Sequence, residues 1–203
     1  MTEMFSSPLG LGIVAVLSYL LGSVPFGLVI TRALGLGDLR KIGSGNIGAT
    51  NVLRTGNKPA ALATLVLDAG KGGIAVLIAR MLVGEGAAQI AGLCAFLGHL
   101  YPIWLGFKGG KGVATFLGTM LALAWPVGLA CCAVWAVVAA VTRISSLSAL
   151  VSAASAGIWL LVFGQGQLLV LVFVLTLLVY IKHWPNLQRI KAGTEPKIGA
   201  KKS

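Results

Sequence analysis

The chain has few acidic side chains. Five aspartates and glutamates stand against 16 lysines and arginines, so the formal net charge is +11. Charged residues of both signs make up only 10% of the 203 residues, and 57% are apolar, whereas soluble domains carry about 25% charged residues. This composition excludes a soluble globular domain and predicts an integral membrane protein. The basic excess then indicates anionic lipid headgroups or phosphorylated substrates as partners, and no nucleic acid, because no DNA- or RNA-binding motif is present.

Cysteine and histidine are also rare, with three and two residues. Cys94, Cys131 and Cys132 lie inside apolar runs, where thiols usually behave as small apolar groups. No Cys/His spacing fits a zinc site. We therefore expect no disulfide, no metal and no cofactor.

The chain lacks two further patterns that would suggest a known type of active site. Its only aspartates are Asp38 and Asp68, so a Ser-His-Asp triad is not easily made. A Walker A nucleotide loop is excluded as well, because Leu105 and Gly112 occupy the positions of its first glycine and of its Ser or Thr.

Long apolar runs account for most of what is present. Residues 1–7 contain no lysine or arginine, whereas a cleavable signal peptide has a positive start, so the run at 9–33 is interpreted as a retained first span. Further apolar runs cover residues 60–83, 87–105, 147–163 and 168–181.

The apolar residues 112–142 decide the topology. As one helix they would be about 46 Å long, against a hydrocarbon core of about 30 Å. Dividing the run at Trp125-Pro126 into two spans places nearly all lysines and arginines on one side, as the positive-inside rule requires. We therefore predict an all-α polytopic membrane protein with about seven transmembrane helices. Its N-terminus with Glu3 is expected outside, and its C-terminus, with a mobile, lipid-attracted basic tail at 190–203, in the cytoplasm. Residues 1–203 are expected to form a single membrane-embedded domain.

The central polar loop, residues 106–112, belongs to the stretch GFKGGKGVAT at 106–115. Lysines and exposed glycine amides make a concave site for an anion such as phosphate. A helix starting after Gly112 would add its positive N-terminal end. A simple cytoplasmic turn is the alternative for a Gly-Lys stretch taken by itself.

A second polar loop, residues 38–58, carries hydroxyl, amide and basic side chains with almost no acidic ones. Ser44 and Asn46 can cap a short helix. Asn46, Thr50 and Arg54 recur at every fourth residue and would share one face of it. We interpret this loop as an anion-binding surface, with a polar connecting helix as the alternative.

A few polar residues lie within the spans. Proline and glycine in residues 22–27 predict a kink, where Ser23 either lines a groove or bonds back to its own helix. Asp68 and Lys71 are neighbours on a helix; they form a packing ion pair, or Lys71 is directed toward the cytoplasmic loops. His99 either orients the central loop, binds substrate, or is a satisfied buried histidine.

Two more polar stretches fall on the predicted cytoplasmic side. Ser145 and Ser146 could cap the next helix, donate to a phosphate, or do both. His183, Asn186 and Arg189 step by three, so a helix that continues through them would place them along one side.

Three of these stretches resemble the signature segments of one bacterial family. They are SGNIGATN at residues 44–51, the run from Gly98-His99 to GGKG at 109–112, and His183 with Asn186 and Arg189. The family is the membrane-integral acyl-phosphate:glycerol-3-phosphate acyltransferases, and the resemblance covers nearly the whole chain. It implies transfer of a fatty acyl group from acyl-phosphate to glycerol 3-phosphate, giving 1-acylglycerol 3-phosphate and phosphate. It also implies a role in phospholipid biosynthesis, at the cytoplasmic face of the bacterial inner membrane.

The resemblance also implies roles for individual residues. The catalytic residues would be Ser44, Asn46, Arg54, Lys111 and His183. The residues that bind the two anionic substrates would be Thr50, Asn51, Lys71, Lys108, Gly109, Gly110, Gly112, Ser145, Ser146, Asn186 and Arg189. Because an acyl-phosphate is already activated, we expect direct attack by the glycerol hydroxyl without an acyl-enzyme. A substrate phosphate oxygen or His183 would take the proton.

Two other functions fit the same basic loops. A transporter of phosphorylated metabolites would need polar residues along a path through the membrane, and the non-cytoplasmic half has almost none. A non-catalytic scaffold that docks anionic lipids would tolerate Lys-to-Arg exchange, whereas a shaped phosphate site would not. The sequence leaves the oligomeric state open, with a monomer favoured.

Overall fold

The computed structural model describes residues 7–199 and is helical throughout, with no strand in that range. These residues form two compact units, the first ending at Leu123 and the second beginning at Ala124. The helices of the first unit are α1 (Pro8–Gly22), α2 (Phe26–Ala33), α3 (Ala49–Val52), α4 (Lys58–Leu82), α5 (Glu85–Leu100) and α6 (Val113–Leu123). Those of the second unit are α7 (Trp125–Thr142), α8 (Ser145–Val162), α9 (Leu169–Lys182) and α10 (Trp184–Lys191). Glu3, Lys201 and Lys202, which entered the predicted topology, lie outside the described residues.

The helices confirm the predicted all-helical membrane architecture. By length and apolarity, five segments between residues 7 and 199 could cross a membrane: Pro8–Ala33, Lys58–Leu82, Glu85–Leu105, Trp125–Thr142 and Ser145–Val162. Gly166–Lys182 gives a sixth when joined to α10, from which a 60° bend separates it. Helix α6 is apolar but has only 11 residues. The predicted division of the long run at 112–142 is present, because α6 ends at Leu123 and Pro126 occupies the first turn of α7.

The short helix α6 is held at both ends by the long helix α4. Near its N-terminus, the Thr115 hydroxyl donates to the Asp68 carbonyl at 2.9 Å. Asp68 lies ten residues after the start of α4, so α6 begins about 15 Å along that helix. At the other end, the Arg80 guanidinium donates to the carbonyls of Ala122 and Leu123 at 2.5 and 3.1 Å. Helix α6 therefore needs few residues, because the loop before it is recessed along α4.

The predicted kink is present between α1 and α2. Helix α1 ends at Gly22, and α2 begins at Phe26 after Pro25. The Ser23 hydroxyl donates to the Tyr19 carbonyl of its own helix at 2.8 Å, so Ser23 bonds back to its own helix. Gly22 packs directly against the backbone of Ala95 in α5 and leaves no room there for a side chain.

Helices of the second unit are joined by hydroxyl groups that donate to backbone carbonyls. Ser152 of α8 donates to the Cys131 carbonyl of α7 at 2.7 Å. Tyr180 of α9 donates to the Leu150 carbonyl of α8 at 3.3 Å. Such bonds leave few polar groups unsatisfied in an apolar surrounding, which is the requirement that membrane helices have to meet.

The contact between α4 and α6 gives a stability prediction. A side chain at Gly118 would collide with the backbone of Ala69, whereas Gly70 of α4 has open space around it. We expect Gly118→Ala to destabilise the fold by about 1–3 kcal/mol through overpacking. Gly70→Ala should be neutral or stabilising by up to about 1 kcal/mol, because alanine is the better helix former. Thermal unfolding of the two purified variants in detergent checks this, and equal midpoints would contradict the packing.

Candidate functional site

The loop at residues 38–58 is organised by one amide side chain. Asn51 is 1% exposed. Its NH2 group donates to three carbonyls of the loop, those of Leu39, Ile42 and Asn46, at 3.0, 2.9 and 2.8 Å. Its oxygen accepts from the Ser44 amide at 3.2 Å and from the Arg54 guanidinium at 3.3 Å. Asn51 therefore holds the loop together through its donors and its acceptor, and its role as a substrate contact stays a prediction.

The local helix is shorter than the sequence pattern suggested. It begins at Ala49, with Gly48 at the N-cap and no side-chain capping bond. Ser44 and Asn46 lie before it and do not cap it, and Asn46 does not share a helix face with Thr50 and Arg54. The reason is local: Gly43 and Gly45 have φ angles of 54° and 71°, which interrupt a right-handed helix.

Ser44, Thr50 and Arg54 are nevertheless exposed. Ser44 and Arg54 come together at the Asn51 oxygen. This loop thus presents two hydroxyls and a guanidinium as donors for an anion, on a framework fixed by Asn51.

The glycines of the central loop serve close packing. The Gly109 amide donates to the Leu100 carbonyl at 3.2 Å, and the Gly110 amide donates to the His99 carbonyl at 3.1 Å. Both amides bond to the end of α5, and the phosphate contact expected at Gly109 and Gly110 stays a prediction. Gly112 has φ 82°, and a side chain there would strike the Phe96 ring.

The two lysines of this loop remain as its charged groups. Lys108 is exposed, and Lys111 is partly buried. Lys108 precedes Gly109, and Lys111 lies between Gly110 and Gly112. Because these three glycines have no room for side chains, packing fixes the backbone positions of both lysines. This arrangement suits the binding of an anion by side-chain ammonium groups rather than by amides.

Lys71 is buried within the first unit. It is 2% exposed, and its ammonium donates to the Asp68 carboxylate at 2.8 Å and to the Val24 carbonyl at 2.9 Å. The ring of Phe26 lies 5.6 Å from the same nitrogen. The structure therefore shows the packing ion pair, and the substrate-binding role of Lys71 stays a prediction.

A second cluster of donors, in the second unit, surrounds the carboxylate of Glu195. Oε1 accepts from the Ser146 hydroxyl at 2.7 Å and from the Asn186 amide at 2.6 Å, and Oε2 accepts from the Arg189 guanidinium at 2.7 Å. Sequence reasoning did not consider Glu195. The sequence feature that could have identified it is a single acidic residue in a basic tail, a few residues after positions that were expected to bind an anion.

The C-terminal segment is held in place up to residue 199. Besides the Glu195 contacts, the Ile198 amide donates to the Arg143 carbonyl at 2.6 Å, and the Arg143 guanidinium donates back to the Ile198 carbonyl at 3.0 Å. These contacts reach as far as Ile198, and the mobility of the basic tail stays a prediction. Ser145 and Ser146 do not cap α8 as expected, because Ile144 is its N-cap residue and makes no side-chain capping bond.

The pKa of Glu195 reports how well this cluster accommodates negative charge. Burial by itself would raise the pKa of the carboxyl. The hydrogen bonds from Ser146, Asn186 and Arg189 outweigh burial and hold the pKa below its ordinary value. Three residues that were expected to bind a phosphorylated substrate therefore stabilise an anion in this structure, and the anion is the protein's own carboxylate.

His183 lies at the bend between α9 and α10. The bend corrects the expectation of one helix continuing through His183, Asn186 and Arg189. The ring is buried, and Nδ1 lies 2.8 Å from the Val179 carbonyl. A carbonyl can only accept, so Nδ1 carries a proton, and Nε2 is the nitrogen that can take another.

The carboxylate of Glu195 gives a stability prediction. Its folded pKa lies below the ordinary value of 4.5, so its stabilisation is present above about pH 4.5 and is lost as the pH falls through the folded pKa. Arg189 is 39% exposed, which screens part of the pairing. We expect Glu195→Gln to lower the unfolding free energy at pH 7 by about 1 kcal/mol.

Thermal unfolding of both proteins, from pH 7 down to a pH below the folded pKa of Glu195, measures this difference. The gap between wild type and Glu195→Gln should close as the pH falls. A gap that is absent at pH 7, or that widens in acid, would contradict the cluster.

Comparison with known proteins identifies the family. Residues 12–193 match the family model described as glycerol-3-phosphate acyltransferase. A glycerol-3-phosphate acyltransferase of Cereibacter sphaeroides is 69% identical over 98% of this chain and 94% of its own length. One of Dinoroseobacter shibae is 59% identical over the whole of both chains.

Solved structures agree with the sequence relatives. A crystal structure of PlsY (YgiH), described as an integral membrane glycerol 3-phosphate acyltransferase in its glycerol 3-phosphate form, has a TM-score of 0.88 at 38% identity. The match covers 93% of this chain and 96% of that one. A lysophosphatidic acid form of PlsY matches with a TM-score of 0.87. This chain belongs to the glycerol-3-phosphate acyltransferase family of integral membrane enzymes.

Proposed function

We propose that this acyltransferase takes its acyl group from an acyl-phosphate and passes it directly to glycerol 3-phosphate. The products are 1-acylglycerol 3-phosphate and inorganic phosphate. The proposed acceptor and product are supported by the match, across nearly the whole chain, to a solved acyltransferase with glycerol 3-phosphate and lysophosphatidic acid forms. The donor is supported by the resemblance of the three signature segments to the acyl-phosphate-dependent family.

The side chains fit a reaction between two anionic substrates. An acyl-phosphate is a mixed anhydride with a good leaving group, so catalysis needs positioning and charge stabilisation more than a protein nucleophile. The exposed donors of the first unit are Ser44, Thr50, Arg54 and Lys108, with Lys111 partly buried. In the second unit, Ser146, Asn186 and Arg189 already hold a carboxylate.

The proposed step forms one bond and breaks one bond. The glycerol C1 hydroxyl oxygen attacks the acyl carbonyl carbon, and the bond from that carbon to the phosphate oxygen breaks. Lys111 and Arg54 stabilise the charge that develops on the leaving phosphate, with Ser44 and Asn46 positioning the reacting groups. The hydroxyl proton passes to a phosphate oxygen or to Nε2 of His183, whose tautomer leaves that nitrogen able to accept it. No acyl-enzyme is formed.

The proposed setting is the bacterial cytoplasmic membrane. Helix α6 is counted as a short span, and with the six other apolar segments it makes seven, with the N-terminus outside and the C-terminus in the cytoplasm. The central loop leads into α6, which starts about 15 Å from the N-terminal end of α4. The loop would therefore lie below the membrane surface. That depth would let the acyl chain stay in the hydrocarbon while the phosphate meets Lys111. We further propose that the chain works as one domain and as a monomer.

An activity assay tests the donor. Purified protein in lipid receives palmitoyl-phosphate or palmitoyl-CoA, each with labelled glycerol 3-phosphate. We expect label in lipid, with stoichiometric phosphate release, only from palmitoyl-phosphate. Product from palmitoyl-CoA at a comparable rate would overturn the donor, and uptake into vesicles without product would favour a transporter.

Lys111→Ala tests the central loop in the same assay. Loss of a charged donor to the leaving phosphate should reduce kcat by about 100- to 1,000-fold. Lys191→Ala is the matched control, because Lys191 is an exposed lysine at the end of α10 with no proposed role in catalysis. If Lys111→Ala keeps activity near that of Lys191→Ala, the loop is only a turn.

A further inference from the structure

A chain of buried polar contacts runs from the kink between α1 and α2 to the central loop. It starts at the Val24 carbonyl, which accepts from the Lys71 ammonium at 2.9 Å. Lys71 also donates to the Asp68 carboxylate at 2.8 Å, and Oδ1 of Asp68 lies 3.7 Å from Nδ1 of His99. The side chains of Lys71, Asp68 and His99 are only 1%, 3% and 5% exposed.

The histidine at the end of this chain lies directly behind the central loop. A side chain on Gly110 would collide with Nε2 of His99. The His99 carbonyl also accepts from the Gly110 amide at 3.1 Å. The two ring nitrogens thus face opposite ways: Nδ1 lies near the carboxylate of Asp68, and Nε2 lies against the glycine that precedes Lys111.

Asp68 also contacts the far end of the loop. Its backbone carbonyl accepts from the Thr115 hydroxyl at 2.9 Å, and Thr115 lies in the first turn of α6. One residue of α4 therefore contacts the chain on both sides of Lys111: through His99 and Gly110 before it, and through Thr115 after it. A packing ion pair alone would need neither contact.

Resting on the function proposed above, we propose that His99, oriented by Asp68, is a positioning residue for Lys111. Charged side chains in apolar helices are costly, and when they are present they usually serve function. His99 does not touch the substrate, because Gly110 lies between its ring and the loop surface. It acts by setting where the Gly109-Gly110 turn lies, and with it the backbone from which the Lys111 side chain extends. Lys71 neutralises Asp68 and ties the pair to the kink between α1 and α2.

Steady-state kinetics of His99→Ala separate positioning from folding. A misplaced catalytic group costs up to about 100-fold in rate, so we expect kcat to fall about 10- to 100-fold. The KM for glycerol 3-phosphate should change little, because we assign the binding of that substrate to His183, Asn186 and Arg189, which this variant leaves untouched. Thr119→Val is the matched control, since it removes a buried hydroxyl of α6 that lies against Gly72 rather than against the loop. Its kcat should stay near that of wild type.

A double-mutant cycle keeps the test meaningful if His99→Ala is poorly stable. Gly110→Ala introduces a methyl group that collides with the His99 ring, so its kcat should fall by a similar factor. In the double variant the collision disappears, and we expect it to be no slower than either single variant. Additive losses in kcat would show that the two residues act independently, and this result would overturn the proposal.

Hydrogen exchange provides a readout that does not depend on activity. In lipid nanodiscs, the amides of residues 106–112 should exchange faster in His99→Ala than in wild type, because the turn loses its support. Residues 85–98 of α5 should be unchanged, and Thr119→Val should show neither effect. Unchanged exchange in the loop, together with kcat near wild type, would overturn the positioning role. If the wild type makes no product from an acyl-phosphate, the proposed function fails, and the exchange result still decides this inference.

Discussion

The ion pair between Lys71 and Asp68 is the contact on which the first unit depends most. Both side chains lie inside apolar helices, where neither charge could remain without the other. Lys71 also satisfies the Val24 carbonyl that the kink between α1 and α2 leaves free of helical bonding. Asp68 in turn contacts Thr115 and lies beside His99. A single pair of opposite charges thus fixes the entry of α2, the start of α6 and the end of α5 relative to α4.

The requirement that buried polar groups have bonding partners also explains how each unit presents donors to an anion. In the first unit, Asn51 uses its whole amide to hold a glycine-rich loop, which leaves hydroxyl and guanidinium groups of that loop exposed. In the second unit, Ser146, Asn186 and Arg189 converge on Glu195. Both clusters consist of donors with few candidate bases. Such a set suits a reaction in which both substrates are phosphorylated and the acyl group arrives already activated.

Much of the fold could be predicted from the sequence, because the features that determine it are local. Long apolar runs, basic loops and the break before Pro126 are local signals, and they predicted the all-helical membrane architecture, whereas the family was indicated by the resemblance of three signature segments. The bonds that Asn51, Lys71 and the loop glycines make to distant carbonyls could not be predicted, because each depends on a partner that sequence spacing does not reveal. Asn51 bonds to carbonyls up to 12 residues away, and Lys71 bonds to one 47 residues away. Glu195 was missed because its partners Ser146 and Asn186 lie 49 and nine residues from it.

In the proposed reaction, the acyl group passes directly between the two substrates. The most direct measurement is intact-protein mass spectrometry after rapid quenching of enzyme mixed with palmitoyl-phosphate in the absence of glycerol 3-phosphate. Direct transfer predicts that the protein keeps its unmodified mass at every mixing time. A palmitoyl adduct that forms within one turnover time, and disappears when glycerol 3-phosphate is added, would show an acyl-enzyme and contradict the account.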